Sequence, residues 1–441
     1  MKKILILLAL LLIGGAGYYF GFGAEKLTES LKAQVDTQLQ TLQKNGFEIK
    51  DRKMEKKSEH FVLHYADPVK ISHYFKSKNI EIDDEDAQAL QGMKVGVDLS
   101  YLDGAYSALS ADLYPVAFPP ALLQEADAEE QKIMKKIIQE KIFLAHLDIN
   151  KLFTAFKGYL KDIDTTFESE DPLTLQSKGF AFAGTFDDTL LTSSSNTIKQ
   201  LNISTKSGVA FKLEGLQGEY EQVGKNIYDF NSKYSLKSLR IHDENRQGAT
   251  IDELTFNSSG KAKDGLASSD FTLHVESAEV NEPRGKHLFE GITNKVSLEN
   301  LSISALTKMG QLKEEDTEGF NAALKELFAQ GIIIKVDELS AKKVREGETG
   351  KMIDGFLANA VIEVDKITNF KQLEENPFAL LNIFDATMHM EFSNDLYLTL
   401  QKRPELALAM ILFSPVSKNG KMIFDIDYKD GSLKINGKSA L

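Results

Sequence analysis

Apolar and polar positions take three successive patterns along the chain. Ile4 to Ala24 is an uncharged run, from Leu27 apolar residues recur at helical spacing, and from Gly46 short alternating segments are separated by turn clusters. The first run, with Leu8 and Leu12 inside it, has 21 residues. At about 1.5 Å rise each it spans roughly 31 Å, one hydrocarbon core. It predicts a membrane-spanning helix over 1–24, with Lys2 and Lys3 ahead of Ile4 favouring a cytoplasmic N-terminus. Two fates are open. A cleaved signal peptide needs small residues at the cut, and Gly14-Gly15-Ala16 lies very close to the strongly apolar part. A retained anchor uses Tyr18, Tyr19, Phe20 and Phe22 as an interfacial aromatic belt, and is the favoured reading. Gly17 and Gly21 have the GxxxG spacing of packed anchors, although glycines are common near export segments.

Leu27, Leu31, Val35, Leu39 and Leu42 predict an amphipathic helix over 25–45, stopped by Asn45-Gly46 and packed on the body. The body, 46–441, predicts strands. "FEIKDRKMEKKSEHFVLHYA" is extended, and "MKVGVDLSYLDG" and "AYSALSADLYPV" form a pair turning near Asp103-Gly104. A helix is expected near 121–142, with Leu122, Ala126, Met134, Ile137, Ile138 and Ile142 on one face. "KGFAFAGTFDD" resumes the strands. "TIKQLNIST", "YSLKSLRIH", "ATIDELTFN" and "NKVSLENLSIS" then share one form between turn clusters, the sign of serial antiparallel hairpins with one face buried. A helix near 316–330 places Phe320, Ala323, Leu324, Leu327 and Phe328 inward before Gly331. "IIIKVDELSAKKV" and "DGFLANAVIEV" are further strands. "NPFALLNIF" and "RPELALAMILF" are short apolar helices, neither long enough for a second span. The fold class is α+β, mostly antiparallel β, with serial hairpins in an extended, curved sheet, several helices and one N-terminal span.

Composition narrows the partners. Apolar content of 42% with 27% charge is ordinary for a folded chain. A formal charge of −13 disfavours nucleic acid and anionic lipid surfaces as general partners. The chain has no cysteine, which excludes disulfides, thiolate metal sites and cysteine nucleophiles.

Candidate chemistry is sparse, and no catalytic residue, cofactor or metal site is assigned. His60 and His64 share a face of a strand about 13 Å apart, too far to share a metal. His389 alternates with methionines in "TMHMEF". "EGETGKM" fails as a phosphate loop, with Arg345 and Met352 at its defining positions. No GxSxG occurs. Asp187-Asp188 and Glu314-Glu315-Asp316 are paired acids, the second suited to a helix start. In "DIDYKDGSLKINGK" a calcium loop needs glycine and glutamate where Asp430 and Asn436 stand. A two-residue turn at Asp430-Gly431 fits instead: Tyr428 faces Leu433 and Ile426 faces Ile435 on one side, Asp427 faces Lys434 and Asp425 faces Asn436 on the other.

That C-terminal hairpin, with Gly431, Leu433, Asn436, Gly437 and Lys438, resembles the end of the YdgA-like family of bacterial envelope proteins of unknown function. The front, with Gly17, Tyr18, Tyr19 and Glu25, resembles the same family. The resemblance implies inner-membrane anchoring and a periplasmic body; in style the body is also similar to AsmA-type envelope proteins, whose strands form an apolar groove for lipid. The role expected is a non-enzymatic envelope scaffold or lipid-sheltering protein, partnered by the membrane and by lipid or envelope proteins. The alternative is an envelope hydrolase or metal-dependent enzyme whose site gathers distant residues.

Overall fold

A computed structural model describes residues 31–439 apart from 78–83, 103–106, 188–189, 284, 311, 313–315, 347–349, 367–382 and 403–413. The expected span and its residues Lys2 to Gly21 lie outside that set, as does most of "NPFALLNIF" and "RPELALAMILF". Among the described residues no helix is long and apolar enough to cross a membrane. The chain divides at residues 219 and 220 into two units. Antiparallel strands dominate both.

In the first unit α1 (Leu31–Lys44) carries the expected stripe, with Val35, Leu39 and Leu42 buried. It ends at Asn45-Gly46, where Gly46 adopts φ +95°. Strands β1 (Phe47–Met54), β2 (Ser58–Tyr65), β3 (Lys94–Tyr101), β4 (Ser107–Ala117), β5 (Ala145–Asn150) and β6 (Ala155–Leu160) pair in chain order. β6 continues to β9 (Ala181–Asp187), and β9 to β10 (Leu190–Thr205). β7 (Ile163–Phe167) pairs with β8 (Leu173–Lys178), and β8 with β10. The alternation that wrote these strands puts Phe61, Val97, Leu99, Leu109, Leu113, Leu147 and Ile149 on one face, all buried. α1 covers that face, together with α2 (Pro68–Ser77) through Ile71, Tyr74 and Phe75. α3 (Asp84–Ala89) adds Ala87.

The helix expected over 121–142 is two helices, α4 (Pro120–Glu125) and α5 (Ala128–Gln139). Ala126 is extended, and Asp127 closes a capping box with Glu130. The side-chain acceptor at Asp127 satisfies the first amides of α5 and so makes a break cheaper than continuation. Ile137 is buried against the sheet, and Ile142 is buried beyond the helix end.

The second unit has longer strands. β11 (Ala210–Gln222) crosses the division, and β12 (Phe230–His242), β13 (Gly248–Lys263), β14 (Leu266–Glu282) and β15 (Gly285–Ser302) pair in order. β16 (Ile332–Glu346), β17 (Ile353–Val364) and β18 (Phe384–Ser393) follow. β18 pairs with β20 (Lys421–Lys429), which also holds β19 (Val416–Lys418) and β21 (Ser432–Ile435); β22 (Lys438–Ser439) closes on β21. Helices α6 (Ile303–Met309), α7 (Thr317–Phe328) and α8 (Asn394–Leu400) sit at strand ends. Asp316 caps α7 by accepting from the Gly319 amide. Of the residues expected inward on α7, Ala323 is buried, but Phe320, on the first turn, is 47% exposed.

The hairpin at the end of the chain has the expected register: Ile426 faces Ile435, Asp427 faces Lys434 and Tyr428 faces Leu433. Asp430 and Gly431 both take positive φ, 51° and 74°. That is the geometry a two-residue turn requires between right-twisted strands. Asn436 donates its backbone N–H to the Asp425 carbonyl at 2.7 Å and returns its side-chain oxygen to the Asp425 amide at 2.9 Å.

Candidate functional site

The second unit builds its most extensive chemical feature from alternation alone. One row of directly opposed residues runs Tyr234, Phe256, Leu273, Asn294, Leu339, Ala358, Met390 and Phe424 across β12 to β20. Two positions along, the row is Ser232, Ser258, Phe271, Val296, Val336, Ala360, Met388, Ile426 and Ile435. The next is Phe230, Gly260, Ser269, Leu298, Ile334, Ile362, Ala386, Tyr428 and Leu433. On the other side Leu236, Leu254, Val275 and Ile292 lie across β12 to β15, and Ala341, Phe356, Phe392 and Met422 across β16 to β20. None of these positions is charged.

Some of these side chains are buried, as Val275 and Phe424 are, but most are half-buried, and Tyr234, Leu339 and Met388 are 37–39% exposed. Rings touch along the face: Phe256 stacks on Phe271 at 6.3 Å and Phe384 on Tyr428 at 4.8 Å. α8 covers one corner, where the Tyr397 ring lies 6.2 Å from Phe424 and Leu396 is buried.

A bulge keeps the face continuous. On β16, Val336 opposes Ala360 and Leu339 opposes Ala358, so Asp337 and Glu338 together face one residue of β17. Both flanking apolar residues therefore point to the same side. Glu338 meets Lys295 at 2.6 Å, on the polar side. On that side Lys335 also pairs with Glu299 at 2.6 Å.

Four of the eight histidines sit on polar sheet faces directly opposite a carboxylate. His64 meets Glu48 at 2.8 Å, His60 meets Asp98 at 2.6 Å, His146 meets Asp112 at 2.7 Å and His389 meets Asp425 at 2.6 Å. His60 and His64 share a face of β2 but take separate partners, as their spacing predicts. Burial acts to raise the Asp98 carboxyl, but hydrogen bonds from His60 and Tyr114 and the Lys141 charge overcome it and hold it below the usual range. Lys141 stands 3.4 Å over the Tyr114 ring, and Tyr114 in turn lies across Gly96, where any Cβ would meet that ring at 2.6 Å. The His389 imidazole is raised above its ordinary value, first by the Asp425 hydrogen bond and then by Glu391.

Around His146 a trough of mixed polar and apolar lining crosses four strands. His146 opposes Tyr159, which opposes Ala181, which opposes Thr197; beside them Asp148 opposes Lys157, then Ala183, then Ser195. The trough encloses about 370 Å³. Nothing in the sequence signals it, because its residues come from four strands that only the register brings together. Ser110 Oγ lies 3.4 Å from His146 Nε2, so a hydroxyl, an imidazole and a carboxylate are strung in line. That string does not make an acyl-transfer site. Ser110 is mid-strand with ladder partners on both sides, Ser100 and Asp148, so its amide belongs to the sheet and not to an oxyanion hole. A second hollow of about 380 Å³ holds His389, Asp425, Asp427 and Lys434. Each hollow contains one histidine, and among the described residues no group of three side chains could hold a metal ion.

The hairpin residues Tyr428 and Leu433 belong to the apolar face, and Asp430, Gly431, Asn436 and Gly437 shape the turns that close it. No curated protein and no solved structure matches the chain. Residues 153–411 match the model of a family described as a bacterial protein of unknown function (DUF945), in keeping with the YdgA-like resemblance of the two ends. That match takes in the end of the first unit and most of the apolar face, and covers more than half of the 441 residues, so the chain belongs to the DUF945 family.

Proposed function

We propose that this is a non-enzymatic envelope protein, held at the bacterial inner membrane by residues 4–24 with its body in the periplasm, and that the second unit shelters lipid acyl chains on its apolar face. One observation carries the reading: uncharged rows, aromatic or aliphatic at most positions, cross β12 to β20 and remain half-exposed. A sheet face turned to water is polar, and single exposed apolar residues are ordinary, but contiguous exposed rows mark an interaction surface. An acyl chain suits the surface because it demands no hydrogen bonds, and each methylene buried contributes about 0.8 kcal/mol.

The test uses the full chain reconstituted in vesicles containing a phospholipid with a photoactivatable acyl chain. Adducts are mapped by peptide mass spectrometry. Crosslinks at β14 to β18, lost when Leu273→Asp places a charge mid-face, are the expected result. Adducts confined to the first 30 residues would show an anchor alone and sink the sheltering reading, leaving the face to a protein partner.

A further inference from the structure

The geometry points to a second binding site, on the first unit and independent of the apolar face: the trough at His146 and Tyr159 takes an uncharged saccharide. The platform is prearranged. Asp112 fixes the His146 ring at 2.7 Å, and His146 stacks on Tyr159 with centroids 4.8 Å apart and planes 26° apart. Tyr159 is nevertheless 48% exposed. Its ring is thus held from one side and left open on another, the arrangement that receives the C–H face of a pyranose.

The next strand, β9, leaves room. Ala181 and Ala183 stand in register beside Tyr159 and Lys157, where longer side chains would fill the space. The volume of about 370 Å³ falls within the roughly 300–1,000 Å³ of ligand pockets. Polar groups of both kinds edge it. Asp148 accepts, Lys157 donates, and Ser195 and Thr197 carry hydroxyls that do either.

Charge narrows the ligand. Lys157 lies 3.8 Å from Asp148, and Asp112 stands behind His146, so a phosphate or carboxylate would meet two carboxylates for one ammonium. An aliphatic chain would leave the hydroxyls and the ion pair unsatisfied. A neutral, ring-shaped, hydroxyl-rich molecule satisfies both the aromatic platform and its polar rim.

The experiment is saturation-transfer NMR on the full chain in a detergent without a sugar headgroup, with chitotriose and maltotriose as ligands. Transfer to ring C–H protons of either sugar is expected. Tyr159→Phe retains it, Tyr159→Ala weakens affinity about tenfold or more, and Ala181→Leu, which fills the trough from an exposed strand position, abolishes it. Circular dichroism of each variant separates lost binding from lost folding. No transfer to either sugar at millimolar concentration would overturn the proposal. So would transfer unchanged in folded Tyr159→Ala and Ala181→Leu proteins. Lipid crosslinking at β14 to β18 is unaffected by these variants, so the two sites fail or stand separately.

Discussion

Phe61 and Phe271 both lie within antiparallel strands of an alternating sequence, yet the first is fully buried and the second keeps part of its ring in water. The difference belongs to the units around them. In the first, strands mostly of five to eight residues place one face under α1 and α2, and a single cluster runs from Val35 to Ile203. In the second, strands of up to 18 residues carry a longer apolar face, and the described helices meet it at its margins. The buried cluster around α8 consists of Ala341, Val344 and Leu396. The same period-two pattern thus makes a core in one unit and a receptive surface in the other. Among the described residues, α1 and α2 lay apolar stripes on the first face, whereas α8 covers one corner of the second.

The sharpest test of that contrast is truncation on each side of it. Phe61→Ala removes a fully buried ring and should destabilise the first unit by about 3–5 kcal/mol, read as earlier exchange of the β2 and β3 amides in denaturant. Next is the charge beneath that unit's edge. Glu59 has a fully buried carboxylate side chain that binds Arg52 and accepts from the Tyr101 hydroxyl at 2.8 Å. Burial, then Glu59, pushes the Tyr101 phenol well above its ordinary value. Glu59→Ala should cost about 2 kcal/mol by taking the acceptor from the Tyr101 phenol and leaving Arg52 with Asp36 as its remaining carboxylate; a loss below about 1 kcal/mol would show the pair to be dispensable.

Phe271→Ala, on the half-exposed face, should cost about 1 kcal/mol while reducing lipid crosslinking. If it costs as much as Phe61→Ala, the face is a core and the comparison collapses. The smallest effect is electrostatic. The folded-state pKa of His389 is raised above its unfolded value, so its contribution is fully present below the unfolded pKa and is lost as pH rises through the folded one. The histidine is partly exposed and Asp425 largely so. The stability gap between wild type and His389→Gln should therefore stay below about 1 kcal/mol at pH 5.5 and close by pH 8.5. A gap that widens with pH would mean the pair is not what holds β18 to β20 there.

The legible parts of this fold were those written locally. The Asp430-Gly431 turn fixed the final hairpin's register, and the stripe from Leu31 to Leu42 fixed a helix and its buried face. α2 escaped reading although its signal is present: Asp67 stands before Pro68 and accepts from the Lys70 amide at 3.2 Å, a cap followed by proline in the first turn. The break at Asp127 escaped because the apolar spacing from Leu122 to Ile142 continues through it, and only the pair Asp127 and Glu130 announces a new start. The trough could not be read at all. His146, Tyr159, Ala181 and Thr197 meet through three strand pairings, and no spacing within one strand encodes a relation across four.

The bulge at Asp337 and Glu338 has a consequence for how this chain can change length. Where these long strands pair without a bulge, loss of a single residue would turn every side chain beyond it to the opposite face, exchanging lysine and glutamate for leucine and isoleucine. Deleting Asp337 instead leaves Val336, Glu338 and Leu339 in plain alternation, with both sides unchanged. The strand has one position where an indel is silent to the sheet, and relatives of different length can share its register there.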